Sequence, residues 1–196
     1  MESRLDFGIE KELLLVEQRI REAVDSQEPL LTDIAQYVIA AGGKRIRPTI
    51  ALLANKAVGG RNVAQTVQMA AALELIHSAT LLHDDINDGG LMRRGREAAY
   101  VKYGLQNALV AGDFLFVKAF QIGGKFEQEI VDLTAQVCTA LAEAEIAQRR
   151  HAGDLGTTRD DYLDVIRRKT AMPTITTTVT TAPRPLMTSF SRHFGS

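Results

Sequence analysis

The sequence predicts an all-α fold, and three observations carry the prediction. Up to about Ala171 the chain is dense in Ala, Leu, Ile, Val, Glu, Gln and Arg, a composition suited to helices. Within that stretch proline occurs only at Pro29 and Pro48, each placeable in the first turn of a helix. Apolar residues also recur at intervals of three and four. Leu13, Leu14, Val16 and Ile20 mark the first amphipathic helix, Leu31, Ile34, Val38 and Ile39 the second, and Ile50, Leu52, Leu53 and Val58 the third. From about Val63 to Asp85 the chain is apolar on most sides, as expected of a helix buried among others. A turn follows at Asp88-Gly89-Gly90, then two long helices over Gln106 to Gln121 and Glu127 to Arg150. The second ends in Arg149-Arg150-His151 before Gly153, basic residues and a glycine suiting a helix C-terminus. A shorter helix is expected over Asp160 to Arg168.

At Met172-Pro173 the composition changes. The last 25 residues hold seven Thr, three of the five Pro and no acidic residue. Proline removes a backbone donor and crowds the preceding turn, so the helix entering through Lys169-Thr170 is expected to end there. The β-branched run Thr174 to Thr181 is expected to be extended. The domain reading is therefore a helical domain over 1–171 followed by a divergent tail over 172–196.

Composition excludes several classes of function. With 196 residues, 45% of them hydrophobic and 24% charged, the chain can bury a sizeable core. Lys plus Arg number 23 against 24 Asp plus Glu, so no global positive field gathers nucleic acid. Apolar runs fall well short of the roughly 20 residues that span a bilayer, and Met1 to Asp6 shows no apolar signal core. A cytoplasmic protein without a transmembrane segment is expected. Cys138 is the sole cysteine, which excludes an internal disulfide.

The segment His77-Ser78-Ala79-Thr80-Leu81-Leu82-His83-Asp84-Asp85-Ile86-Asn87-Asp88 carries the most chemistry. Asp84 and Asp88 fall one helical turn apart on one face, about 6 Å along the axis, with Asp85 beside them and His77 two turns earlier. Three converging carboxylates repel one another unless a hard cation neutralises them, and oxygen ligands that also admit phosphate suit Mg²⁺. Taken alone, the spacing fits an acidic helix end equally well. Upstream, Gly42-Gly43-Lys44-Arg45-Ile46-Arg47-Pro48 places three cations on a glycine-rich turn feeding a helix, either an anion cradle or an exposed basic turn. Downstream, Arg93-Arg94-Gly95-Arg96 is a second cationic group, suited to phosphate or simply a solvated charge run. One carboxylate cluster flanked by two basic clusters describes a site for two phosphate esters, one of them bridged by metal.

These segments, in this order, resemble the trans-polyprenyl (isoprenyl) diphosphate synthases. Gly42 to Pro48 is similar to that family's isopentenyl diphosphate motif, and His77 with Leu82 to Asp88 and Arg93-Arg94-Gly95 to its first Asp-rich region. Gly112-Asp113-Phe114-Leu115, Glu145 to Gln148 and Lys169-Thr170-Ala171 are weaker echoes, and the resemblance covers roughly residues 30 to 171. It implies antiparallel helices around a deep apolar cavity, a homodimer or hetero-oligomer, and Mg²⁺-dependent condensation of isopentenyl diphosphate with an allylic prenyl diphosphate. By the same resemblance Asp84, Asp85 and Asp88 hold Mg²⁺, Arg93, Lys169 and Thr170 contact the allylic diphosphate, and Lys44, Arg47, His77 and Arg94 hold isopentenyl diphosphate. Ala79 and Thr80, just before Asp84, are expected on the cavity floor as chain-length residues. Their small size implies a product beyond fifteen carbons, which Ala79→Phe should shorten.

The family's second Asp-rich region has no counterpart here, since no acidic residue follows Ala171. A truncated bundle is the expectation, and a non-catalytic subunit that binds diphosphate or a partner synthase chain is the alternative function. A terpene cyclase fits less well, because Lys44, Arg47 and His77 would lack a second diphosphate to hold.

Overall fold

The computed structural model describes residues 8–60 and 62–179, and they form an all-α bundle. Helix α1 spans Glu10–Ala23, α2 Pro29–Ala40, α3 Ile46–Ala57 and α4 Val63–Asp88. Strands β1 (Met92–Arg93) and β2 (Arg96–Glu97) make a small hairpin, followed by α5 (Ala99–Tyr103), α6 (Leu105–Gly123), α7 (Gln128–His151) and α8 (Arg159–Ile166). A π-helical turn over Arg167–Ala171 leads into α9, Met172–Val179. Among the described residues no helix is long and apolar enough to cross a membrane.

Local chemistry sets the boundaries. Pro29 opens α2, where a missing N–H costs nothing, and the Glu28 carboxylate accepts from the Leu30 amide. Asn62 caps α4 by accepting from the Gln65 amide, and Gly89 ends it in the left-handed conformation. Thr158 and Asp161 form a reciprocal capping box at the start of α8. Helix α4 is the central element: it packs against α1, α3 and α6, and Met69 to Ile76 are buried without interruption.

The α4–α6 interface is close-packed around a motif glycine. The His83 imidazole lies on Gly112, where an added Cβ would stand 2.2 Å from Nε2. That nitrogen also meets the Leu109 carbonyl at 3.3 Å, and the ring stacks on Phe116 at 6.1 Å between centroids. His83 is thus a packing residue between two helices.

Two features depart from the sequence reading. Arg93 to Arg96 is a hairpin, pairing Met92 with Glu97 and Arg93 with Arg96 across a turn in which Arg94 and Gly95 both have positive φ. The ring of Tyr37 lies under both Arg96 and Lys102, and its hydroxyl donates to the Glu97 carbonyl at 2.9 Å, fastening the hairpin to α2. The helix expected to end near Pro173 instead continues, and the run from Thr174, expected to be extended, is helical through Val179. The π turn supplies the reason. The Met172 amide donates to the Arg167 carbonyl five residues back, so the backbone is widened where the Pro173 ring would otherwise crowd the turn before it. Thr174 then donates its hydroxyl to the Thr170 carbonyl at 2.8 Å, and Ile175 packs against the main core. Thr180 and Thr181 lie outside the described residues, as does most of the proposed tail domain.

Replacing Gly112 by valine forces the His83 ring and α6 apart. The expected result is a loss of about 1–3 kcal/mol, as for other overpacked interfaces, read as a lower urea midpoint; an unchanged midpoint would contradict this packing.

Candidate active site

Helices α3, α4 and α7, the π turn and the first turn of α9 enclose a cavity of about 200 Å³. From α4, Leu73, His77, Thr80 and Asp84 line it at intervals of three and four, one face of the helix. Facing them, α7 contributes Thr134, Val137, Cys138 and Leu141 with the same periodicity. Arg47 enters from α3, and Lys169 and Thr170 from the π turn. Charged groups gather toward the C-terminal end of α4, while Leu73, Ile76, Val137 and Leu141 make the remaining wall apolar.

The charged end is electrostatically tense. Burial, reinforced by Arg47, Arg94, Arg93 and Arg45, pushes His77 down to about 3, so its imidazole is neutral near pH 7. Arg47 is held below the ordinary guanidinium range by burial, which the Glu74 carboxylate opposes. Asp84 is raised above the usual carboxylate range chiefly by burial, with Lys169 opposing the shift and Glu145 and Asp88 adding to it. Lys169 bridges to α7: its ammonium donates to Gln148 Oε1 at 3.2 Å and forms an ion pair with Glu145. Glu145 Oε2, the oxygen that meets that ammonium, is buried. Burial also raises the Cys138 thiol to about 11.

Arg47, His77, Thr80, Asp84, Lys169 and Thr170 therefore share one cavity. The other residues expected at the site sit elsewhere. Asp85 accepts from Nε and Nη2 of Arg93, and both line a second, smaller void of about 30 Å³ beside Arg94. Asp88 and Lys44 are exposed. Asp84, Asp85 and Asp88 thus face different surroundings, and among the described residues no three His, Cys, Asp or Glu side chains group closely enough to hold a metal ion. Asp84 and Asp88 still suit Mg²⁺, which characteristically takes one or two carboxylates and completes its shell with water and phosphate. The raised Asp84 carboxyl, crowded by like charges, is a donor that a cation would relieve. Ala79 is 0% exposed and packed within the main core, outside the cavity lining, so a phenylalanine there would have to displace core side chains. Thr80 does face the cavity, its hydroxyl donating to the His77 carbonyl at 2.8 Å.

Arg94 reaches the glycine-rich turn from the hairpin: a Cβ added at Gly43 would stand 2.8 Å from its Nη1. This contact joins the two basic clusters that sequence spacing leaves about 50 residues apart. The α7 wall is only partly legible in the sequence: the helical spacing of Thr134, Val137, Cys138 and Leu141 marks a buried stripe without saying what that stripe faces.

An all-helical bundle enclosing an apolar cavity, with cations and carboxylates at one end, defines a class that comparison with known proteins makes specific. The polyprenyl synthetase family model matches residues 28–183. Octaprenyl diphosphate synthase of Haemophilus influenzae is 38% identical over 157 residues, covering 80% of this chain and 47% of that protein. Geranylgeranyl diphosphate synthase of Methanosarcina mazei is 38% identical over 144 residues, covering 70% and 44%. Among solved structures, the polyprenyl synthase of Caulobacter crescentus CB15, complexed with calcium and isoprenyl diphosphate, superposes with a TM-score of 0.86 at 34% identity, covering 91% of this chain and 54% of that one. The chain belongs to the polyprenyl synthetase family. It spans about half the length of the curated relatives it matches.

The neutral His77 makes stability depend on pH. Unfolding returns the imidazole from about 3 to its ordinary value of 6.5, so between those values the unfolded chain binds a proton that the folded chain refuses. Stability from this group is complete above pH 6.5 and falls as pH drops toward 3. Thermal melts of the wild type and His77→Gln across that range should diverge, with the variant losing less on acidification.

Proposed function

We propose that this chain carries out, or supplies one wall of a site for, Mg²⁺-dependent prenyl transfer in isoprenoid biosynthesis, condensing isopentenyl diphosphate with an allylic prenyl diphosphate. The observation that carries the reading is the single cavity in which Arg47, His77, Asp84 and Lys169 stand at one end of an apolar wall. Names of relatives such as octaprenyl and geranylgeranyl diphosphate synthase support a medium- or long-chain polyprenyl product. A second copy of the chain is the proposed partner, supported by the outer face of α6, where Leu109, Val117 and Phe120 are 45%, 65% and 41% exposed. The proposed location is the cytoplasm.

The residues divide the work by charge. Asp84 and Asp88 would hold Mg²⁺, which supplies positive charge against the departing diphosphate. Lys169, Thr170 and Arg93 orient the allylic diphosphate and stabilise the negative charge that grows as its C–O bond breaks. Asp85 serves the same end by holding Arg93. Lys44, Arg47 and Arg94 bind the diphosphate of isopentenyl diphosphate, and the neutral His77 can donate to it without a charge of its own. Leu73, Ile76, Val137 and Leu141 exclude water from the allylic cation until the double bond of isopentenyl diphosphate attacks it and a proton is lost.

The test is diphosphate release and product analysis with isopentenyl diphosphate, farnesyl diphosphate and Mg²⁺. Asp84→Asn should lower turnover by about a hundredfold or more, the scale of losing one charge-stabilising group. A folded wild-type chain that binds both diphosphates without turning them over would instead be the diphosphate-binding subunit.

Chain length has a structural handle as well. Beyond Leu73, Ile76 and Thr134 lies a small void of about 10 Å³ bordered by Met69, Ala119 and Gly123. Leu73→Ala should join it to the cavity and shift the product to longer chains, read by chromatography of the dephosphorylated prenols, at a stability cost of about 2–5 kcal/mol.

A further inference from the structure

Arg45 lies in the glycine-rich turn between Lys44 and Arg47, yet it points away from the cavity. Its side chain is 15% exposed and engages three acceptor groups. Nε and Nη2 donate to the two carboxylate oxygens of Glu17 on α1, Nη1 donates to Glu74 Oε1 on α4 at 2.8 Å, and Nη2 also reaches the Ile39 carbonyl at 3.3 Å. The Arg45 backbone is left-handed, with φ 47° and ψ 39°, an unfavourable conformation for a residue with a side chain. Its carbonyl accepts the first hydrogen bond of α3, from the Thr49 amide at 2.9 Å. A strained residue that starts a helix is thus pinned from below by two carboxylates.

We propose that Glu17 is a positioning residue for the anion-binding turn: by clamping Arg45 with Glu74, it fixes the left-handed backbone that turns Arg47 into the cavity and sets Lys44 beside it. The inference rests on the proposed function above for the identity of the ligand. Glu17 lies on α1, outside residues 28–183 that the family model matches, and touches neither cavity. Glu74 has a second task, since its charge also favours the ionised form of Arg47. The two carboxylates therefore act on the turn from different directions, Glu74 on both guanidinium groups and Glu17 on Arg45 alone.

Two readouts on the full chain test the clamp: amide hydrogen exchange over residues 44–49 without ligand, and calorimetric binding of isopentenyl and farnesyl diphosphates. Glu17→Gln keeps shape and removes charge. It should speed exchange in that segment and weaken isopentenyl diphosphate by about tenfold, the scale of one charge-assisted hydrogen bond, while leaving farnesyl diphosphate unchanged. Arg45→Lys, which keeps the charge but cannot bridge both carboxylates, should show the same split, and Glu22→Gln on the exposed face of α1 should show neither effect. Unchanged isopentenyl diphosphate affinity in Glu17→Gln overturns the proposal, as does an equal loss for both ligands, which marks a general loosening of the fold. Failure of the diphosphate-binding reading itself is distinguishable: the wild-type chain then binds neither diphosphate, whereas loss of turnover alone leaves the binding split in Glu17→Gln as the test.

Discussion

Removing an ionised side chain from water is expensive unless its charge is answered nearby, and the interior of this bundle is arranged around that constraint. Glu74, buried in the middle of the central helix, answers Arg45 and Arg47. Asp85 answers Arg93, and Glu145 answers Lys169. The Glu74 and Glu145 pairs join segments distant in sequence, while the Asp85–Arg93 pair ties the hairpin back to the end of the helix just before it, so charge pairing helps set which loops meet which helices once apolar burial has brought the helices together. Among the described residues, charge stands less completely answered at one end of the cavity: Asp84 beside Asp88 and Glu145, and a histidine kept neutral among arginines. A ligand carrying phosphate and a divalent cation fits that residue of imbalance.

The helices were legible in the sequence because their signal is local. A periodicity of three and four, a proline at the start of α2 and a glycine after α4 each depend on neighbours within a turn or two. The hairpin was not, since strands of two residues carry no alternation to read and its stability comes from Tyr37, nearly 60 residues earlier. The helix through Pro173 was missed for a comparable reason: the widened turn that accommodates the proline is built by the preceding five residues, which show no sign of it in their side chains.

At the site, the chemistry of the residues was legible and their orientation was not. Asp84 and Asp85 are adjacent and chemically identical, but one faces the cavity and the other takes up an arginine from the hairpin. Lys44, Arg45 and Arg47 read as one basic cluster, whereas the fold spends Arg45 on structure and keeps Arg47 for the cavity. Ala79 and Thr80 likewise share a neighbourhood in sequence and part company in space, because rotation by one residue along α4 exchanges the cavity for the buried core. Only tertiary partners distinguish such neighbours.

The α7 wall carries one more consequence. Cys138 is the sole thiol of the chain, stands within the cavity lining, and is held protonated at neutral pH by burial. Its alkylation is therefore slow and depends on a reagent entering the cavity. A molecule that fills the cavity shields the sulfur, so the rate of thiol labelling becomes an intrinsic gauge of occupancy, free of any added dye or tag.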